Sequence, residues 1–533
     1  MTTSPELQPI LIDGAWRQAR SPEGRFNAYN PSTRETIAEH AYPVSGWDDI
    51  DAMLEAGHAA AAEMARLPAE TIASFLERYA DAIEARTEAL VESAHRETGL
   101  PAEPRLRSGE LPRTTGQLRQ AAKAARDGGW RRPTIDTAAG IRSIHAPLGG
   151  PVVVFGPNNF PYAFNGISGG DFAAAIAAGN PVIAKAHPAH PRTSVLLAEA
   201  ALEAAQAAGL PTGAVQMFFR SPGELGLRLV SDPRVGAVAF TGGRSAGTKL
   251  KAAADAVGKP IYLEMSSVNP VFVLPGALRE RGEAIATELH GSCAMGAGQF
   301  CTKPGVTVLT AGDQAEAFVD TLRTQAAGAT PGVLLSPQSP KEIASTVARL
   351  QAAGAELLAG GSIAEDAKGY AFQPTVLRVS GERFLADPEA LQSEAFGHVN
   401  LVVVADDDAQ ALQVAAAMEG NLTGTIYSHN GGEDDAAYDA LAPILRTRVG
   451  RLLNDKMPTG VAVSAAMNHG GPFPATGHPA FTAVGIPASL IRFSALHSYD
   501  NVRPHRLPAE LRDANPDGRL PRLVDGEWTT RDV

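Results

Sequence analysis

Cysteine is nearly missing from this chain: two residues, Cys293 and Cys301, in a sequence of 533. So sparse a supply excludes a disulfide scaffold, and their spacing makes no metal-ligand motif, so no metal is expected. A chain of this length buries enough apolar surface to stand without covalent staples, as two or three domains, and its thiols fit a reducing cytosol. Net positive charge is lacking too. With 46 Lys and Arg against 58 Asp and Glu the balance is −12, whereas a binder of phosphate backbones needs concentrated cations to displace counterions, so nucleic acid is not an expected partner. No run reaches roughly 18 consecutive apolar residues, which argues against a transmembrane helix. The opening MTTSPELQPILIDGAW has neither the basic flank nor the apolar core of a signal peptide. A cytoplasmic protein with no membrane partner is expected, and neither repeats nor low-complexity linkers divide it.

What the chain has instead is an ordered series of local signals. Leu11-Ile12-Asp13-Gly14-Ala15-Trp16 predicts a short hairpin turning on Asp-Gly, and Leu523-Val524-Asp525-Gly526-Glu527-Trp528 repeats the pattern near the other end. Ser45-x-x-Asp48 predicts a capping box at the start of a long helix. Ile72, Phe75, Leu76, Tyr79 and Ile83 recur at helical spacing along a second, with Glu77, Arg78, Asp81 and Glu84 as its solvated face, and a third helical run covers 107–127. From Pro151, short apolar runs (152–155, 182–184, 215–218 and 235–240) alternate with Ala-rich helical stretches, which implies a parallel sheet covered on both faces. Ligands bind beyond the carboxyl ends of such strands. Three of these ends lead into polar or Gly-rich turns, at 156–161, 185–188 and 241–247, which are expected to meet at one crevice. A second alternating region runs from Pro270 to about Gly450 and contains Cys301, so a site between two domains is expected.

Four local patterns carry chemistry. Gly298-Gln299-Phe300-Cys301-Thr302-Lys303-Pro304-Gly305 sets a thiol in a bend enforced by Gly and Pro, where irregular backbone gives a nucleophile access. A buried inert thiol, the reading given to Cys293, is the alternative. Thr241-Gly242-Gly243-x-x-x-Gly247 follows a strand and opens a helix, the context of a phosphate turn, although Gly-rich turns also serve simply to reverse a chain and GxGxxG spacing is absent. Lys185 ends a buried strand, where either a bound ribose or phosphate or plain water would satisfy its charge. Glu264 closes an apolar strand as a candidate general base, or else caps the following turn.

Taken in order, the Asn-Phe-Pro turn at Asn159, Lys185, the Gly turn, Glu264 and Gly298-Gln299-x-Cys301 resemble the aldehyde dehydrogenase superfamily over nearly the whole chain. Glu394-Ala395-Phe396-Gly397 is similar to that family's Glu-x-Phe-Gly cofactor turn. The resemblance implies an α/β fold of two Rossmann-type parallel-sheet domains plus a small β oligomerisation arm. Its implied boundaries are a cofactor-binding domain at 1–132 and 150–266, a catalytic domain at 267–475, and an arm with C-terminal segment at 133–149 and 476–533. It implies Cys301 as nucleophile, Asn159 as the amide that holds the oxyanion, and Glu264 as the base that hydrolyses a thioester. It also implies Lys185 at the cofactor ribose, Gly242 and Gly247 at the pyrophosphate, and Glu394 with Phe396 at the nicotinamide ribose. The acid that usually selects NAD three residues after the lysine is Pro188 here. NADP is therefore favoured, with NAD as the second choice, and Arg220 is either a partner for a 2′-phosphate or a solvated loop residue.

Ser266-Ser267, Lys303-Pro304, the run 186–191 and the run 468–475 narrow the resemblance to one branch. It holds bacterial 2-oxoglutarate semialdehyde (2,5-dioxopentanoate) dehydrogenases and NADP-linked long-chain fatty aldehyde dehydrogenases. Oxidation of 2-oxoglutarate semialdehyde through a Cys301 thioester is the expected reaction, with fatty aldehyde oxidation as the alternative. Glu264 counts against a CoA-acylating enzyme, and the joint presence of Cys301, Glu264 and Asn159 counts against a non-catalytic relative. A substrate carboxylate calls for cations, for which Arg113 and Arg119 are candidates, surface charge being the other reading. His469 is either an auxiliary base or a hydrogen-bonded structural histidine. Strand-like 140–145 is expected to project and pair with 487–499 across subunits, in a homodimer or homotetramer.

Overall fold

Apolar runs without polar alternation are buried on both faces when they pair in parallel, and the computed structural model, which describes residues 6–533, places them so. Val152–Phe155, Val182–Lys185, Val215–Phe218, Ala237–Thr241 and Ile261–Glu264 form a parallel sheet. Ile10–Ile12 adds an antiparallel strand beside Val215–Phe218, with Leu11 opposite Met217, and turns into Ala15–Arg17 at the edge. Asp13 and Gly14 have φ of +49° and +69°, the two left-handed conformations that a two-residue type I′ turn requires. Asp525 and Gly526 repeat this, at +48° and +88°, between Arg522–Val524 and Glu527–Thr529.

The helices Trp47–Met64, Ala69–Glu84 and Leu111–Asp127 share the hydrophobic core of this sheet. The predicted face Ile72, Phe75, Leu76, Tyr79 and Ile83 is fully buried. The capping box at Ser45 does not form. Gly46 takes the cap position, because a side chain there would strike the Ser21 carbonyl at 2.4 Å, and the buried Ser45 hydroxyl is left without a partner. The third run begins as a widened π-type turn, Ala102–Glu110, and becomes α-helical at Leu111. Its polar face is tied to the second helix: Arg126 pairs with Glu70 and Glu77, and Arg119 with Asp81 and Glu84. Arg119 is thus an exposed ion-pair residue on the outside, which removes it from the candidate substrate contacts.

A second sheet is built from the later alternating region. Val271–Val273 and Val306–Thr310 lie at its centre, flanked by Val399–Ala405 and Thr375–Ser380 on one side and by Asn421–Tyr427 and Val449–Asn454 on the other; Glu356–Ala359 adds an antiparallel edge. A third sheet joins Ser494–Asp500, Ile141–Pro147, Thr134–Asp136 and the C-terminal hairpin. Here the structure corrects the expected pairing across subunits. Ser494–Asp500 runs antiparallel to Ile141–Pro147 of the same chain, with His497 opposite Ile144, so the two segments satisfy each other's backbone groups. The turn Ala488–Phe493 before it places Leu490 and Phe493 in the core of the first sheet. No helix among the described residues is long and apolar enough to cross a membrane.

Candidate active site

Between the carboxyl ends of the first sheet and the second sheet's loops lies a cavity of about 490 Å³. It is lined by Asn159, Glu264, Cys301, Glu394 and Phe396, with Gly242 and His187 from the two remaining turns. The three turns do meet at one crevice, and the thiol faces it from the other unit. A larger cavity, about 550 Å³, lies beyond Val271–Val273. It holds no nucleophile, and its Asp434 is committed to the Gly276 and Ala277 amides at 2.8 and 2.9 Å.

Cys301 follows the tight turn Met295–Gly298. Gly298 has φ of +77°, and a side chain there would lie 2.2 Å from the Gly397 carbonyl carbon. Glycine therefore lets the thiol's bend press directly on the turn that carries Glu394 and Phe396. Two further ties hold the bend. Asn269 Nδ2 donates to the carbonyls of Cys301 and Lys303, at 2.9 and 3.0 Å, and Asn421 Oδ1 accepts the Val268 and Asn269 amides. Lys303, buried, donates Nζ to the Val399 carbonyl at 2.7 Å. Asn269 and Asn421 escaped the sequence reading, where the one available signal is an amide side chain set beside apolar strand residues.

Glu264 ends its strand where segment 475–477 crosses it. The Met265 amide donates to the Ala475 carbonyl at 2.7 Å, and the Gly477 amide to the Leu263 carbonyl at 3.1 Å. That crossing brings His469 over the strand end. Its amide donates to Thr482 Oγ1, its carbonyl accepts from the Ala483 amide, both at 2.9 Å, and its ring sits edge-on to Phe164. His469 Nε2 then lies 3.4 Å from Cys301 Sγ and 2.9 Å from Glu264 Oε1. Of the two readings of His469, the structure places it in contact with the thiol. Glu264 Oε2 is buried and has no hydrogen-bond partner among the described residues. Burial pushes the Cys301 thiol well above its usual range, the Glu264 charge adds to this, and Arg113 opposes it.

Asn159 reaches the same bend: Nδ2 donates to the Gln299 carbonyl at 3.0 Å. Its own backbone carbonyl accepts from Arg105 at 2.9 Å, and Glu110 braces the turn by accepting the Tyr162 and Ala163 amides. Two arginines act electrostatically on the thiol. Arg113 lies against the rings of Phe160 and Phe164, at 5.5 and 5.2 Å, with Nε and Nη2 buried and unpartnered among the described residues. Burial lowers its pKa, and Glu110, Cys301 and Glu264 counter that. Arg451, on the strand Val449–Asn454, donates to the Pro458 and Gly460 carbonyls and is lowered by burial, with Cys301 opposing. Sequence reasoning did not single out Arg451.

On the cofactor side, burial pushes Lys185 down to about 8, and Arg220 adds to the shift. Neither forms an ion pair among the described residues. His190, fully buried, gives Nε2 to the Pro157 carbonyl and leaves Nδ1 without a partner. The glycines also have a packing job beside the expected one. The Gly242 amide is used by the Glu264 carbonyl at 3.1 Å, and side chains at Gly242 and Gly247 would strike the Phe240 ring and Met265 sulfur at 2.8 and 2.9 Å. They let the helix Arg244–Asp255 seat on the sheet, while its cap, Gly243, faces open space. Burial raises Glu394 to about 7, opposed first by Lys303 and then by the Ser266 hydroxyl. A crevice lined by an open helix start at Gly243 and by Glu394 in the same lining as the thiol, with Lys185 and Arg220 unpaired at the ends of neighbouring strands, fits a dinucleotide.

Comparison with known proteins agrees with this geometry. Residues 16–466 match the aldehyde dehydrogenase family. The chain is 39% identical to alpha-ketoglutaric semialdehyde dehydrogenase 2 of Azospirillum brasilense, over 98% of this chain and 99% of that protein. It is 37% identical to alpha-ketoglutaric semialdehyde dehydrogenase of Acinetobacter baylyi, over 95% and 98%. Its fold superimposes on a mutant aldehyde dehydrogenase from Pseudomonas syringae solved with NAD+ and octanal, with a TM-score of 0.78 at 19% identity, covering 94% and 98% of the two chains. The chain belongs to the aldehyde dehydrogenase family, as an NAD(P)-dependent enzyme closely related to the bacterial alpha-ketoglutaric semialdehyde dehydrogenases.

Proposed function

We propose that the protein oxidises 2-oxoglutarate semialdehyde to 2-oxoglutarate, with NADP preferred over NAD. Arg113 carries the substrate reading. An unpaired buried guanidinium is costly in a pocket meant for an alkyl chain, and a substrate carboxylate would complete its hydrogen bonds. Arg451 supplies a second positive charge that acts on the thiol. The test is a comparison of kcat/KM for the semialdehyde and for decanal, in the native enzyme and in Arg113→Met. The native enzyme is expected to favour the semialdehyde, and the substitution to cut its kcat/KM about 100-fold while sparing decanal. A native preference for decanal would refute the reading.

The chemistry follows from the contacts. With its ring proton on Nδ1, His469 takes the Cys301 proton at Nε2, and Glu264 Oε1, 2.9 Å away, stabilises the imidazolium until the proton leaves to solvent, so the carboxylate is ionised for the hydrolysis that follows. Sγ attacks the aldehyde carbon, and the Asn159 amide with the Cys301 backbone N–H holds the alkoxide. When bound, the nicotinamide ring supplies the hydride acceptor. Lys185 and Arg220 would hold a 2′-phosphate, and Glu394 with Phe396 the nicotinamide ribose. The free Oε2 of Glu264 takes a proton from the water that hydrolyses the thioester, which favours hydrolysis over transfer to CoA.

Cofactor affinity should then depend on pH in two limbs. Lys185 is charged below about 8 and Glu394 ionised above about 7. Affinity for NADP is expected to peak between these values, weakening in acid as Glu394 takes a proton and in alkali as Lys185 loses one, by at most ~10-fold per pH unit. Fluorescence titration with NADP across this range should show the peak. Lys185→Met should lose the alkaline limb and Glu394→Gln the acid one; a flat native profile would contradict both assignments.

A further inference from the structure

We infer that Cys301, His469 and Glu264 form a preorganised site for one borderline-soft divalent cation, Zn²⁺ or Cd²⁺, whose occupancy reversibly silences the enzyme. The sequence offers no metal-ligand spacing, since the three residues come from positions 264, 301 and 469. The fold nevertheless gathers a thiol sulfur, an imidazole nitrogen and a carboxylate oxygen within 4.8 Å of one another. Tetrahedral zinc with bonds of about 2.3 Å to sulfur and about 2.1 Å to nitrogen and oxygen requires ligand separations of about 3.6 Å for S···N and S···O and about 3.4 Å for N···O. The observed separations are 3.4 Å for Sγ···Nε2 and 2.9 Å for Nε2···Oε1. Occupation therefore needs shifts on the order of 1 Å and no change of fold.

Three further features favour a metal. Glu264 is buried and its Oε2 lacks a partner among the described residues, so the carboxylate has unused ligand capacity. The His469 backbone is fixed on both sides by Thr482 and Ala483, so its ring is already aimed. Cys301 and Glu264 line the cavity, which leaves a fourth position open to water. Arg113 and Arg451 would repel a lone dication, but a thiolate and a carboxylate neutralise it, so the filled site carries no net charge, one unit more positive than the thiol and carboxylate it replaces. Binding replaces the S–H bond with a metal–sulfur bond and releases one proton to solvent; no electrons move. A Cys/His/Glu set selects Zn²⁺ and Cd²⁺ over Mg²⁺ and Ca²⁺, which prefer all-oxygen shells. With nucleophile, relay and base all bound to the ion, neither attack nor hydrolysis can proceed.

The test uses the intact enzyme and the metals themselves. Cd²⁺ is expected to bind at one ion per subunit with an ultraviolet thiolate-to-metal charge-transfer band that Zn²⁺ displaces. Zn²⁺ should block both turnover and alkylation of Cys301 by iodoacetamide, chelation should restore both, and Mg²⁺ should do neither. Cys301→Ser should lose the band. His469→Gln should weaken binding at least about 100-fold, since even loss of a group supporting a ligand costs 10–100-fold. An unweakened affinity in His469→Gln, a band that survives Cys301→Ser, or equal inhibition by Mg²⁺ would overturn the proposal. Co²⁺ bound to the native enzyme gives a reading that needs no variant: intense visible bands mark a tetrahedral thiolate site, and weak octahedral bands overturn it.

Discussion

Cys301→Ala is expected to lower kcat/KM for aldehyde oxidation by more than about 10⁴-fold while leaving cofactor binding intact. The argument rests on what surrounds the sulfur and what does not. The bend is held through backbone groups: Asn269 grips the Cys301 and Lys303 carbonyls, Lys303 reaches the Val399 carbonyl, and Gly298 presses on Gly397. None of these contacts uses Sγ, so removing it should not unseat the Glu394–Gly397 turn. No second nucleophile can replace it. Cys293 is buried, donates its thiol proton to the Pro304 carbonyl at 3.3 Å, and is pushed up to about 11 by burial. It is thus both protonated and out of reach, and Cys293→Ser should keep the activity that Cys301→Ala loses. Steady-state assays of the two variants, with cofactor titration by fluorescence, check this directly. If Cys301→Ala kept a tenth of native kcat/KM, the thioester route would be wrong.

The sequence made legible whatever is local or strictly ordered. Apolar runs announced the parallel strands because burial on both faces leaves no polar positions in them, and Asp13-Gly14 announced its hairpin because the turn demands two left-handed residues. The order of Asn159, Lys185, Glu264 and Cys301 announced a crevice, and the fold brings Asn159, Glu264 and Cys301 to it, with His187 from the turn that follows Lys185. What stayed hidden depends on contacts far apart in the chain. His469 acquires its place only because segment 475–477 crosses the end of the Glu264 strand. Arg113 and Arg119 looked equivalent, yet six residues along a helix amounts to about 240° of rotation, which turns one toward the thiol and the other toward Glu84. Gly242 matched a phosphate turn by pattern, and the ring of Phe240 beneath it adds a packing reason that no local pattern reveals. Ser45 likewise offered a capping hydroxyl, and the crossing of Ser21 moved the cap to Gly46.

Glu264→Gln should divide the reaction at the thioester. Glutamine keeps the volume and one acceptor oxygen at the end of Ile261–Glu264, so the strand, the Gly242 amide contact and the crossing at 475–477 should persist, since those bonds are to backbone. What is lost is a group that can accept a proton. In the first half of the reaction His469 Nε2, 3.4 Å from Sγ, can still take the thiol proton, so attack and the first reduction of cofactor continue, slowed by loss of the carboxylate charge beside the imidazolium. In the second half a water must be deprotonated beside the thioester, and the unpartnered Oε2 of Glu264 is the group placed to do it. Rapid mixing should therefore show a burst of about one reduced cofactor per subunit, followed by a steady rate reduced by about 10²- to 10⁴-fold. Mass spectrometry of the quenched enzyme should find the acyl group on Cys301. If burst and steady rate fell by the same factor, Glu264 would be acting before the thioester forms, through its 2.9 Å contact with His469, and hydrolysis would need another base.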